Sequence, residues 1–146
     1  MRWHIFLVSL AAVACAAQAQ IVTQTSTVQG VTVAATAGNL GPRTTVWDFA
    51  VVLDSSNQDL RDDLVDNAVL LDDCGNMQRA LIWEGAPRQG RHRAGVLKFV
   101  APDGPRPQWV ELRISRPGEA RPRVFSWFLT GRLVASTQDA GPAAAF

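Results

Sequence analysis

One repeating unit constrains this chain more than any other feature. A strand-length run of alternating or β-branched residues is closed by a turn signal, about every 8–12 residues. Residues 28–36 are rich in Val and Thr, and Gly38-Asn39-Leu40-Gly41-Pro42 punctuates them as a turn. In residues 44–53, Trp47, Phe49, Val51 and Leu53 share one face and Asp48 takes the other, which is the two-residue period of a half-buried strand. Residues 68–71 form a short apolar run, and Asp72-Asp73-Cys74-Gly75-Asn76 follows as a hairpin turn with Gly75 suited to positive φ. Strand-like runs continue at 77–83 and 95–101, followed by a proline-rich turn at 102–107. In 108–116, Val110, Leu112 and Ile114 oppose Glu111 and Arg113. Residues 123–129 are apolar on both faces, which predicts a strand covered on both sides near the centre of a sheet. About seven such strands predict an all-β fold, an immunoglobulin-like antiparallel β-sandwich. The exception is 57–67, where Leu60 and Leu64 stand four apart behind Ser56 or Asn57 as cap. That spacing predicts one short helical segment.

The N-terminus reads as an export signal. Arg2 precedes an apolar stretch at 5–14, and Ala17-Gln18-Ala19 forms an A-x-A cleavage site before Gln20. This divides the chain into a signal peptide at 1–19, a sandwich domain at 20–130 and a tail at 131–146 with little to bury, expected to fray. The apolar stretch is shorter than the roughly 20 residues of a membrane-spanning helix, so no membrane span is expected. Cys15, after Ala12-Val13-Ala14, offers a lipid anchor as the alternative. Leucine is the usual residue three before such a cysteine, so cleavage before Gln20 is favoured. Either route takes the protein out of the cytoplasm, and the expected location is periplasmic. Without 1–19 the chain keeps 13 basic and 13 acidic residues. A neutral chain has no general pull toward nucleic acid or anionic lipid. It also keeps a single cysteine, Cys74, which excludes an internal disulfide. The core must form by apolar burial, with Trp47, Trp83, Trp109 and Trp127 available.

The densest stretch runs Ile82-Trp83-Glu84-Gly85-Ala86-Pro87-Arg88-Gln89-Gly90-Arg91-His92-Arg93-Ala94-Gly95. It reads as a loop at 84–94 between apolar strands, presented at one end of the sandwich where such folds carry recognition loops. Arginine favours planar, bidentate contacts to carboxylate or phosphate. Trp83, Glu84, Arg88, Arg91, His92 and Arg93 are therefore the candidate binding residues, for an acidic group on a protein or envelope component. The run from Trp83 to Pro87, then Gly90-Arg91-His92-Arg93-Ala94-Gly95-Val96-Leu97, together with the paired aspartates between Leu60 and Gly75, resembles a group of uncharacterised exported bacterial proteins with an immunoglobulin-like sandwich. The resemblance covers most of residues 28–129. In that group the loop often carries two adjacent histidines, and Arg91 stands at the first of those positions here. The resemblance implies fold and export and brings no activity with it.

Other chemistry is thinner. A transition-metal site needs three or four donors in fixed geometry, and the mature chain offers His92, Cys74 and Met77 beside its acids. A small periplasmic, copper-type metal-handling protein is the alternative function on that basis. Asp54, Asn57, Asp59, Asp62, Asp63 and Asp66 make an oxygen-rich segment, but neither the spacing nor the turn glycine of an EF-hand is there. Acids at the start of a short helix are expected in any case. Cys74 has Asp72 and Asp73 beside it, which raise a thiol's pKa and weaken it as a nucleophile, and no G-x-S-x-G occurs. Neither an enzyme nor a cofactor is expected. Charge is segregated: residues 48–73 carry eight acids and one arginine, and residues 79–132 carry eleven basic residues and four acids. The segments either lie on different surfaces and polarise the molecule, or pair with each other across the fold. A sandwich of this kind without a catalytic constellation reads as a binding or accessory module of the cell envelope.

Overall fold

The computed structural model describes residues 23–129. The expected export segment and cleavage site, Cys15 and the expected tail at 131–146 lie outside the described residues. Nine strands and one helical turn follow in order: β1 Gln24–Val28, β2 Val31–Ala37, β3 Val46–Ser55, α1 Leu64–Asn67, β4 Ala68–Asp72, β5 Met77–Arg79, β6 Ile82–Gly85, β7 His92–Val100, β8 Trp109–Ile114 and β9 Arg123–Phe128. They form two antiparallel sheets, β1-β2-β3-β7-β6 and β5-β4-β8-β9. The order β2-β3-β7-β6 is the A-B-E-D sheet of an immunoglobulin domain, and β4-β8-β9 is its C-F-G sheet with β5 added beyond C. β1 is an extra N-terminal strand outside that plan.

The core forms where the inward residues of the two sheets meet. Trp47, Phe49, Val51 and Leu53 of β3 are all buried, as are Val110, Leu112 and Ile114 of β8. Phe49 packs against Phe99 of β7 at 5.6 Å and against Trp127 of β9 at 5.2 Å between ring centroids. Each large apolar side chain removed from water in this layer contributes about 1.5–3 kcal/mol. Among the described residues Cys74 is the one cysteine, and it is free, so this burial holds the two sheets together without a disulfide between them.

The structure departs from the sequence expectation at four places, each with a physical cause. Residues 28–36 are not one strand: Gln29 and Gly30 both take positive φ, 51° and 75°, and make the two-residue turn that joins β1 to β2 with Val28 opposite Val31. Residues 77–83 split into β5 and β6, which belong to different sheets, so the chain crosses the sandwich at Ala80 and Leu81. The split at 80–81 and the unexpected strand β1, which lies ahead of residues 28–36 save for Val28, turn about seven strands into nine. The helical segment shrinks to Leu64–Asn67, and its cap is Asp63, whose carboxylate accepts from the Val65 and Asp66 amides, not Ser56 or Asn57. Leu60 is fully buried but lies in the preceding coil. Finally, β9 is an edge strand, although it is apolar on both faces.

Candidate functional site

Four connections gather at one end of the sandwich: the β1–β2 turn, the segment 56–63, the β6–β7 loop at 86–91 and the β8–β9 connection at 115–122. In an immunoglobulin domain this end carries the B–C and F–G loops. The candidate stretch lies there, but less of it is loop than its glycines suggest. Trp83 and Glu84 are in β6, and His92 and Arg93 are in β7.

The loop is docked onto 55–63 by main-chain bonds, Leu60 N–H to the Gly90 carbonyl and Ser55 N–H to that of Arg91, both 2.8 Å. Side chains add to this. Arg88 donates from Nε to the Arg61 carbonyl at 2.9 Å and lies 3.6 Å from the Asp63 carboxylate. Arg91 donates to the Ser56 carbonyl at 3.3 Å. His92 meets Asp54, its cross-strand partner, at 2.5 Å. Arg88 and His92 still show 59% and 64% of their side chains to solvent, Glu84 shows 57%, and Arg91 is exposed.

Arg93 is different, and the expectation that it projects as a contact residue is corrected. It is 1% exposed. Its guanidinium lies 5.5 Å from the centre of the Trp83 ring and donates to the Asp62 carbonyl at 2.8 Å, a cation–π and hydrogen-bond pairing. Burial pushes Arg93 below the usual guanidinium range, opposed by Asp62. Trp83 can lie flat here because Gly85 and Gly95 face each other across β6 and β7. A Cβ on Gly95 would sit 2.6 Å from the Trp83 ring. The indole N–H donates to the Ala86 carbonyl at 2.9 Å and so ties the start of the loop to β6.

Below these residues runs a chain of four buried charges that sequence reasoning missed. Asp62 receives Arg116 on both oxygens, at 2.6 and 3.1 Å. Arg116 reaches Glu119 at 2.8 Å, and Glu119 receives Arg123 on both oxygens at 2.9 Å. Arg123 continues to the carbonyls of Ser26, Val31 and Val28 in and beside the β1–β2 turn. All four side chains are at most 3% exposed. Hydrogen bonds from Arg123 hold the Glu119 carboxyl below the ordinary carboxylate range against the opposing effect of burial, with Arg116 adding to the shift. Hydrogen bonds and charge from Asp62 and Glu119 hold Arg116 above its ordinary range, outweighing the desolvation that would lower it. An open groove of about 460 Å³ lies over this chain, walled by Val28, Gln29, Arg121, Pro122 and Val124. No spacing rule exposes the chain in the sequence, because Arg116, Glu119 and Arg123 lie in and around an irregular Pro-Gly connection.

Four of the eight acids in 48–73 meet basic groups of the later chain. Asp48 meets Lys98, Asp54 meets His92, Asp62 meets Arg116 and Asp63 meets Arg88. Three of these contacts engage Asp54, Asp62 and Asp63 of the oxygen-rich segment considered for calcium. The candidate metal ligands are not brought together either. Cys74 and Met77 flank the β4–β5 turn, near the far end of β7, where Gln78 donates to the Val100 carbonyl. His92 begins β7, about 26 Å away along the strand at ~3.3 Å per residue. Among the described residues, no group of three or more His, Cys, Asp or Glu side chains is set to hold a metal ion. Asp72 is a turn former: its carboxylate accepts from the Cys74 and Asn76 amides at 2.9 and 3.0 Å. Cys74 is exposed; local desolvation, then the charges of Asp73 and Asp72, hold its thiol above the ordinary range. No family model, curated protein or solved structure matches the chain significantly.

Proposed function

We propose that this protein is an exported, non-catalytic binding module of the cell envelope, acting in the periplasm. Its contact with a protein or envelope component is the loop end formed by 56–63 and 86–91. The observation that carries this reading is the buried Asp62–Arg116–Glu119–Arg123 chain. Four charges withdrawn from water are poor stabilisers compared with apolar residues of the same volume. What they supply instead is position, since each fixes one connection relative to the next. A second layer that locks surface loops in place is what a recognition surface needs, and its charges are spent on one another rather than held ready for acid–base work. Arg88, Arg91, His92 and Glu84 are presented on that support, and Arg93 with Trp83 belongs to the support itself. The signal-like N-terminus and the resemblance to exported sandwich proteins favour the envelope as the setting.

The test replaces Arg88 and Arg91 together by serine and leaves Arg93 alone. The expected result is a melting temperature close to that of the parent and weaker retention on the native envelope fraction. Undiminished retention in a folded double variant would remove this end as the contact.

A further inference from the structure

The turn cluster at 38–42 and the proline-rich run at 102–107 take no part in the loop end. β3 starts and β7 finishes at the opposite end of the sandwich, so the connections 38–45 and 101–108 lie together there. Arg106 ties one to the other, donating from Nη1 to the Leu40 carbonyl at 2.7 Å. Between them is a pocket of about 70 Å³, with Pro42, Thr44, Trp47, Pro102, Arg106 and Pro107 in its walls. Trp47 is 3% exposed, yet its indole N–H finds no acceptor among the described residues. Buried donors are ordinarily bonded, as the Trp83 N–H is to the Ala86 carbonyl. Arg106 is exposed and meets no carboxylate among the described residues. The Leu40 bond engages one of the five N–H groups of its guanidinium. The Thr44 hydroxyl is committed to the Gly41 carbonyl at 2.6 Å.

We infer that this pocket binds a carboxylate group. Its walls bring two donors, the Trp47 N–H and the remaining N–H groups of Arg106, and no acid. A guanidinium matches the two coplanar oxygens of a carboxylate, and the lone pairs left over can accept from the indole. A cation would be repelled by Arg106. A neutral carbonyl would meet Trp47 but leave the guanidinium without a counter-charge. The volume is several times the roughly 10–15 Å³ that one water needs. It takes a group of a few heavy atoms and excludes a sugar or a nucleotide. Pro42, Pro102 and Pro107 stiffen the walls by fixing φ, and they bring no N–H of their own to compete for the ligand. The carboxylate of a small free acid and the C-terminal carboxylate of a peptide share this chemistry. The pocket lies at the end opposite the proposed contact surface, so the inference does not rest on the proposed function.

The test follows the Trp47 indole N–H resonance of the isotope-labelled protein, assigned by its loss in Trp47→Phe. Sodium acetate is titrated in at constant ionic strength. The resonance should move saturably, with a dissociation constant on the order of 1 mM. Sodium chloride and sodium phosphate at the same concentrations should leave it in place. Arg106→Gln, shown to be folded by its thermal melt, should weaken acetate binding at least about tenfold. N-acetylalanine and its neutral amide separate the two sources. Movement with N-acetylalanine as well as acetate assigns a peptide C-terminus, and movement with acetate alone assigns a free acid. A Trp47 resonance indifferent to both carboxylates, or moved equally by chloride, phosphate or the amide, overturns the inference. So does undiminished acetate binding in folded Arg106→Gln.

Discussion

Arg93 and its neighbours Arg88 and Arg91 are the same residue type within one short stretch, yet the structure gives them opposite work. Arg93 is sealed beneath Trp83 and bonded to the Asp62 carbonyl. Arg93→Ala should therefore cost about 2–4 kcal/mol through the lost packing and the carbonyl left unbonded. Arg88→Ser, which loses an exposed ion pair, and Arg91→Ser, which loses an exposed bond to the Ser56 carbonyl, should each stay within about 1 kcal/mol. Denaturant unfolding of the three variants checks this split, and equal costs would contradict the separation of support from surface. Glu119 sits between two buried guanidinium groups. Removing it in Glu119→Ala should destabilise the fold by about 3–5 kcal/mol, the cost of leaving buried charge unpaired. Cys74 is exposed with a raised pKa. A thiol reagent should label it in the folded protein, more slowly than a free thiol at neutral pH and faster as pH rises. Labelling only after denaturation would contradict its exposure.

At the scale of elements, what could be read from the sequence followed from period. β3 and β8 alternate cleanly, and their inward residues are the buried ones. The Asp72–Asn76 turn was legible because its residue types form turns by known local bonds. What was not legible depended on partners distant in sequence. Nothing local marks Gln29 as a positive-φ residue, so the turn was absorbed into the Val/Thr run at 28–36 and β1 ahead of it was missed. The break at Ala80 and Leu81 is a change of sheet, which alternation does not record. β9 looked central because its outer face carries Val124 and Phe128, yet it is an edge strand. Part of its free edge is closed by the Gln24 amide, which bonds the main chain of Ser126 on both sides, a device for blunting an exposed strand. At this end of the sandwich the sequence marks the β6–β7 loop and its charged residues, but not the buried chain beneath. At Gly95 the contact with Trp83 is tight enough that Gly95→Ala should cost about 1–3 kcal/mol by overpacking and loosen the loop. A red shift of Trp83 fluorescence, read in a background lacking the other tryptophans, would report that loosening.

For the molecule as a whole, the near-balance of charge, a formal net of +1, is used in part inside the fold. Acids of 48–73 and cations of the later chain meet across strands and loops, so the surface carries fewer uncommitted charges than the sequence does. This sets a pH dependence. Glu119 has a depressed pKa in the folded state, so its contribution to stability is complete above the unfolded value of about 4.5 and is lost as pH falls through the lower, folded value. The wild-type melting temperature should fall in that acid range more steeply than that of Glu119→Ala, which is lower at neutral pH and flatter below. The account's central claim is that the end holding the β6–β7 loop is the contact surface. Its most direct test is a photoreactive residue placed at Arg91, with a second protein carrying it at Ala50, exposed on the outer face of the five-stranded sheet. After irradiation in the native host, a discrete higher-mass adduct is expected from position 91 and none from position 50. An adduct from position 50 with none from position 91, or silence at both in folded protein, would contradict the claim.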